Sequence, residues 1–171
     1  MISLKTILVP TDFSECSDAA VRYGRALAEA FGGSLHLLHV VQDPYKQAWA
    51  AEGFAAPVTD MIVQWETQAR TRLEETAATC APVPTTVATR IGTPFYDIAT
   101  YASEMNVDLI VIGTHGRGPF GHMLLGSVAE RIVRKAPCPV LTVRHPQHEF
   151  IVDERAAAEG ASAPQLVTAS K

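Results

Sequence analysis

Leu109-Ile110-Val111-Ile112-Gly113-Thr114-His115-Gly116, followed after nine residues by Gly126-Ser127, reads as a buried strand that breaks into a glycine-rich loop and re-enters a helix. The helical pattern after it runs from Val128 to Ala136. Strand, glycine loop and helix start in that order form a common phosphate cradle. Glycines let the backbone approach an anion and adopt positive φ, while the helix start offers unpaired N–H groups at the positive end of its dipole.

Working outward, strand and helix patterns alternate. Leu4 to Val9 is apolar and stops at Pro10-Thr11-Asp12, and Ser14 is placed to cap a helix in which Ala20, Gly24, Leu27, Ala28 and Phe31 recur at helical spacing. Gly32-Gly33 supplies a left-handed stop, and Ser34 to Val41 is a second apolar strand. Gln42 to Val58, with Pro44, Gly53 and Pro57 among Tyr45, Trp49 and Phe54, reads as a long loop or lid. Thr59 to Thr79 carries the stripe Ile62, Trp65, Ala69, Leu73 and Ala77, the signature of a helix packed on a core.

Pro82 to Pro84 breaks the chain before a β-branched strand, Thr85 to Ile91. Gly92-Thr93-Pro94 then reads as a cap followed by proline at the first helical position, for a helix that runs to Met105 and closes at Asn106. Val107 to Ile112 is the fourth strand, and Val140 to Val143, after Pro137-Cys138-Pro139, the fifth. The near-continuous apolar character of strands 1, 2 and 4 indicates burial on both faces, hence a parallel sheet between helices. One α/β domain over residues 1–145 is expected, with no internal repeat and with a polar, alanine-rich tail over 146–171 that reads as mobile.

Composition excludes several function classes. A net charge of −4 with scattered basic residues gives no footprint for nucleic acid or an anionic membrane. No apolar run approaches the roughly 20 residues a membrane span needs. Met1-Ile2-Ser3-Leu4-Lys5 runs straight into a strand pattern without the layout of a signal peptide, so a cytoplasmic location is expected. Cys16, Cys80 and Cys138 are far apart and form no CxxC, which argues against a disulfide framework or a zinc site. Cys16, near a helix start, reads as a free, partly buried thiol.

In an open parallel sheet, ligands bind outside the carboxyl ends of the strands at the switch in strand order. Pro10-Thr11-Asp12, Val40-Val41 and Gly113-Thr114 should therefore share one rim. Asp12 can accept hydrogen bonds from a ribose diol or close an Asx turn, and the two roles are compatible. Gly116, Gly118 and Gly121 also spell GxGxxG, but the dinucleotide fingerprint belongs after the first strand, with its third glycine inside the helix; Pro119 intervenes here. No GK[ST] is present for a Walker loop. Ser127-Val128-Ala129-Glu130 has the form of a capping box, giving Ser127 a structural task whatever binds nearby. His36 and His39, three apart in a strand, point to opposite faces and are no ligand pair. His115 and His122 flank the loop and read as solvated or phosphate-touching. No metal site built from protein side chains is expected.

The spacing Gly113, Gly116, Gly126-Ser127 matches the motif G-2x-G-9x-G-[ST], and the chain resembles the universal stress protein family. The likeness extends through Lys5-Thr6-Ile7-Leu8-Val9-Pro10-Thr11-Asp12-Phe13-Ser14, His39-Val40-Val41 and Ala136-Pro137-Cys138-Pro139-Val140-Leu141-Thr142-Val143, roughly residues 3 to 145. The resemblance implies a Rossmann-like, five-stranded parallel sheet of order 3-2-1-4-5 with helices on both faces. It also implies ATP bound with a divalent cation, Mg²⁺ or Mn²⁺, carried by the nucleotide. By that analogy Asp12 holds the ribose, with Pro10 and Thr11 beside it among the nucleotide-binding residues, and the Val40-Val41 backbone meets adenine. Gly113, Gly116, Gly126, Ser127 and Val128 surround the phosphates, and Thr114 and His115 of the same loop are counted with the nucleotide-binding residues. Arg117, in the same loop, reads as a flexible cation within reach of them or as a solvated side chain. The resemblance further suggests a homodimer through strand 5, Val140 to Val143, whose exposed edge is otherwise a liability.

The function the resemblance implies is an ATP-binding stress or signalling module that works through occupancy, with no turnover beyond slow hydrolysis, since no general base, arginine finger or carboxylate pair for metal is identifiable at the rim beyond Asp12. A second reading is an adenylate-forming enzyme of the related superfamily. It meets Pro10-Thr11-Asp12-Phe13-Ser14 where such enzymes carry SGGxDS or HxGH. A third is an interaction protein whose nucleotide site is vestigial.

Overall fold

A computed structural model describes residues 2–42, 58–114 and 125–144. The strands are β1 (Thr6–Pro10), β2 (Ser34–Gln42), β3 (Thr85–Gly92), β4 (Leu109–Gly113) and β5 (Val140–Val143). The helices are α1 (Glu15–Phe31), α2 (Val58–Thr79), α3 (Pro94–Glu104) and α4 (Ser127–Lys135). The sheet has the expected order β3-β2-β1-β4-β5 and is parallel throughout. Of Gln42 to Val58, anticipated as a loop or lid, Gln42 ends β2 and Val58 opens α2, while 43–57, like the tail over 146–171, lies outside the described residues.

β1 is central, and Ile7, Leu8 and Val9 are fully buried because each face of the strand is roofed by helices. Side chains alternate across it: Ile7 and Val9 join Leu35, Leu37 and Leu73 beneath α1 and α2. Leu8 joins Leu38, Ile98, Ile110 and Ile132 beneath α3 and α4. The same alternation sends His36 and His39 to opposite faces, as their spacing requires. His36 Nδ1 meets the Tyr101 hydroxyl of α3 at 3.0 Å. Burial pushes its pKa down, favouring the neutral ring in that contact. His39 instead packs against Phe13, with ring centroids 4.7 Å apart.

Helix ends follow the local chemistry with two corrections. Ser14 caps α1 in a reciprocal box with Ser17, and Gly32 closes the helix at φ 65°, the left-handed conformation expected of the Gly-Gly stop. Thr93 is the N-cap of α3 and Pro94 its first residue, but the threonine side chain makes no cap bond. Asp97 supplies the carboxylate instead, accepting from the Thr93 N–H at 2.7 Å. At α4 the N-cap is Gly126 and Ser127 is the first helical residue, so the anticipated Ser127–Glu130 capping box does not form. Glu130 pairs with Arg134, one turn on, at 2.9 Å. Gly126 accepts the Glu130 N–H at 2.9 Å and takes the cap position with its backbone alone.

Candidate functional site

The ends of β1, β2 and β4 open onto a cavity of about 1000 Å³, at the upper end of the range for small-molecule sites. It lies where chain connections leave β1 in opposite directions, the place an open α/β sheet reserves for ligands. Pro10, Thr11, Asp12, Val40, Val41, Gly113, Thr114, Gly126, Ser127 and Val128 all line it. Ten of the expected site residues are thus brought to one rim. His115, Gly116 and Arg117 lie outside the described residues, as does His122.

The loop after β1 is tied at every step. Thr11 N–H donates to the Leu38 carbonyl at 2.9 Å, and its hydroxyl lies 3.0 Å from Ser17 Oγ and accepts from the Phe13 N–H at 3.0 Å. Asp12 Oδ1 accepts from the Ser14 N–H at 3.1 Å and its hydroxyl at 2.6 Å, which is the Asx turn anticipated for it. Phe13 sits at φ 61°, a strained conformation for a bulky side chain. Its ring is held between the His39 imidazole and the Arg72 guanidinium of α2, the latter 4.1 Å from the ring centroid. This bracing fixes the half-buried Asp12 at the cavity mouth.

On the other side of the rim, the Thr114 N–H donates to the Val143 carbonyl at 2.8 Å, and the Gly126 N–H donates to the Thr114 carbonyl at 2.6 Å. The second bond ties the two ends of the glycine loop together. It aims the start of α4 into the cavity, where Ser127, Val128 and Ala129 stand on the wall. First-turn N–H groups have no partner within their own helix, and the N-cap residue of this one, Gly126, brings no side chain to them. The result is a concave surface with backbone donors and the positive end of a helix dipole directed inward.

Gly113 lines the cavity and has a structural task as well. A Cβ there would stand 2.9 Å from the Cys16 carbonyl oxygen and 3.0 Å from its carbon, so this glycine admits the first turn of α1 against β4. Cys16, expected to be partly buried, is buried in that contact, with Sγ 3.3 Å from the Val143 carbonyl oxygen.

Sequence reading missed one wall of the cavity. Trp65, Gln68, Ala69 and Arg72 of α2 line it, at the i, i+3, i+4, i+7 spacing of a single helix face. Ala69 and Leu73 are buried as the apolar stripe predicts, but Trp65 is 40% exposed and serves the cavity rather than the core. The i, i+3, i+7 recurrence of Trp65, Gln68 and Arg72 was the available signal. Among the described residues, no three His, Cys, Asp or Glu side chains are grouped to hold a metal ion, and no helix is long and apolar enough to cross a membrane.

Comparison with known proteins agrees with this fold. Universal stress protein MJ0531 of Methanocaldococcus jannaschii is 31% identical over 145 residues, covering 85% of each chain. The solved structure of hypothetical protein MJ0577 superposes with a TM-score of 0.73 at 27% identity, covering 86% of this chain and all of that one. A universal stress protein in complex with cAMP shares the fold at a TM-score of 0.61 and 23% identity, over 83% of this chain and 98% of its own. The profile of the Universal stress protein family matches residues 3–144. With that match spanning the whole described sheet, the chain belongs to the universal stress protein family.

Proposed function

We propose that the chain binds ATP with a divalent cation carried by the nucleotide, and acts in stress response or signalling through occupancy of the site. The observation that carries this is the start of α4, whose glycine N-cap brings no side chain, opening into a cavity that the Asp12 carboxylate also lines. Phosphates belong at the α4 start, where backbone donors and dipole favour negative charge. The ribose belongs at Asp12, and adenine at the Val40-Val41 edge. Gly116 completes the phosphate side in this reading, as the motif implies, and His115 and Arg117 neighbour it in the sequence of the same loop.

Occupancy is favoured over turnover by the state of the acidic groups. Among the described lining residues the carboxylates are Asp12, which accepts from Ser14, and Glu130, which is paired with Arg134. Neither is poised to take a proton from an attacking water. Equilibrium dialysis with ATP and Mg²⁺ should give saturable binding of one nucleotide per chain. No saturable binding at millimolar ATP would remove the proposal.

Homodimerisation through β5 accompanies this reading. β5 is an edge strand of only four residues, with Thr142 exposed and Val140 and Leu141 half-buried. Antiparallel pairing with the same strand of a second copy would satisfy its open backbone groups. Light scattering should report twice the chain mass. A monomer mass that stays unchanged when residues after His145 are removed would rule the pairing out.

A further inference from the structure

We propose that the cavity-facing side of α2 is the base-reading wall of this site, with Trp65 stacking on the adenine ring and Gln68 hydrogen-bonding its edge. The inference rests on the ATP reading above and adds how the base is recognised.

Side chains of β2 alternate, so Val41 shares a face with His39, the face that α2 covers. An adenine held against the Val40-Val41 backbone therefore meets α2 from the side. Two contacts fix that part of the helix. Glu66 Oε1 accepts from the Thr89 hydroxyl of β3 at 2.9 Å, and Arg72 lies over the Phe13 ring at 4.1 Å. Trp65 and Gln68 project into the cavity from the segment anchored by these two contacts, so a ligand meets them on a rigid element.

The chemistry of the pair suits a purine. Trp65 offers a large aromatic face and is 40% exposed, although it belongs to the stripe that buries Ala69 and Leu73 further along. Indole stacks on any base, and a neighbouring glutamine amide can donate to N7 and accept from the N6 amino group of adenine. Guanine presents two acceptors at the same edge, which a single amide matches poorly. Stacking thus supplies affinity, and Gln68 supplies the choice of adenine.

The test is a titration of the full chain with ATP, GTP and tripolyphosphate. Binding is followed by calorimetry and, in a Trp49→Phe background that leaves Trp65 as the single tryptophan, by fluorescence. ATP should quench Trp65, and Trp65→Ala should weaken ATP about tenfold, in line with the usual worth of base stacking, while tripolyphosphate changes less than about twofold. Trp65→Phe should restore most of the loss, and Gln68→Ala should narrow the ATP-to-GTP preference. Native ATP affinity in Trp65→Ala, or an equal loss for tripolyphosphate, overturns the inference. If the native chain binds no ATP, the reading beneath it falls as well, so the two failures are distinct.

Discussion

Gly113→Val is expected to lower the melting temperature by about 5–10 °C, from the usual cost of forcing atoms into a packed contact and the sensitivity of a domain of this size. The cause is backbone against backbone. The new Cβ would stand 2.9 Å from the Cys16 carbonyl oxygen, closer than such contacts allow. Neither side can yield cheaply. α1 is fixed in its first turn by the Ser14–Ser17 box and by Ser17 on Thr11. β4 is held by its pairing with β5, where Gly113 lies opposite Val143. A companion Cys16→Ala removes only the Sγ contact at 3.1 Å, so the double variant should melt no higher than Gly113→Val alone. Thermal unfolding by circular dichroism decides it: a shift under 2 °C, or rescue by Cys16→Ala, would show that the backbone contact is not the cause.

That expectation adds a packing role to a residue whose sequence context pointed only to the ligand. Gly113 stands first in a phosphate motif, and a motif read as a string assigns all its glycines to the ligand. Close approach of α1 comes from residues nearly a hundred positions earlier, which no local pattern reveals. The elements themselves were legible because apolar runs such as Leu35 to Val41 have a strand's length and are bounded by Gly32-Gly33 and later prolines. Their order in the sheet came from family resemblance, since the strand pattern alone does not say which strands are neighbours.

The misreadings have equally local causes. Ser127 and Glu130 fit a capping box in sequence, yet a glycine cap leaves no side-chain signal, and helical periodicity does not resolve a start displaced by one residue. Trp65 fits the apolar stripe of α2, but periodicity tells which face turns inward and not how far the sheet extends beneath it. Glu66 already meets Thr89, three residues short of the end of β3 at Gly92. The turns of α2 before it therefore reach toward the rim, where Met61 and Val63 are exposed as well. Trp65 stands where the core ends and the cavity begins.

Ser127→Asp should move stability and ligand binding in opposite directions. Ser127 is exposed, is the first residue of α4 and makes no cap bond, so a carboxylate there meets the positive end of the helix dipole and should hold or raise the melting temperature, by about 0.3–1 kcal/mol in stability. The same carboxylate would occupy the donors and the field that a triphosphate needs. Like charges within about 4–5 Å repel by several kcal/mol at a protein surface before screening, so ATP should weaken by at least about tenfold. Ser127→Asn keeps the size without the charge and should retain most of the affinity. A role for Ser127 confined to the fold would instead lower stability and binding together. Calorimetric titration beside thermal melts separates the cases, and ATP affinity within twofold of native in Ser127→Asp would place the phosphates away from α4.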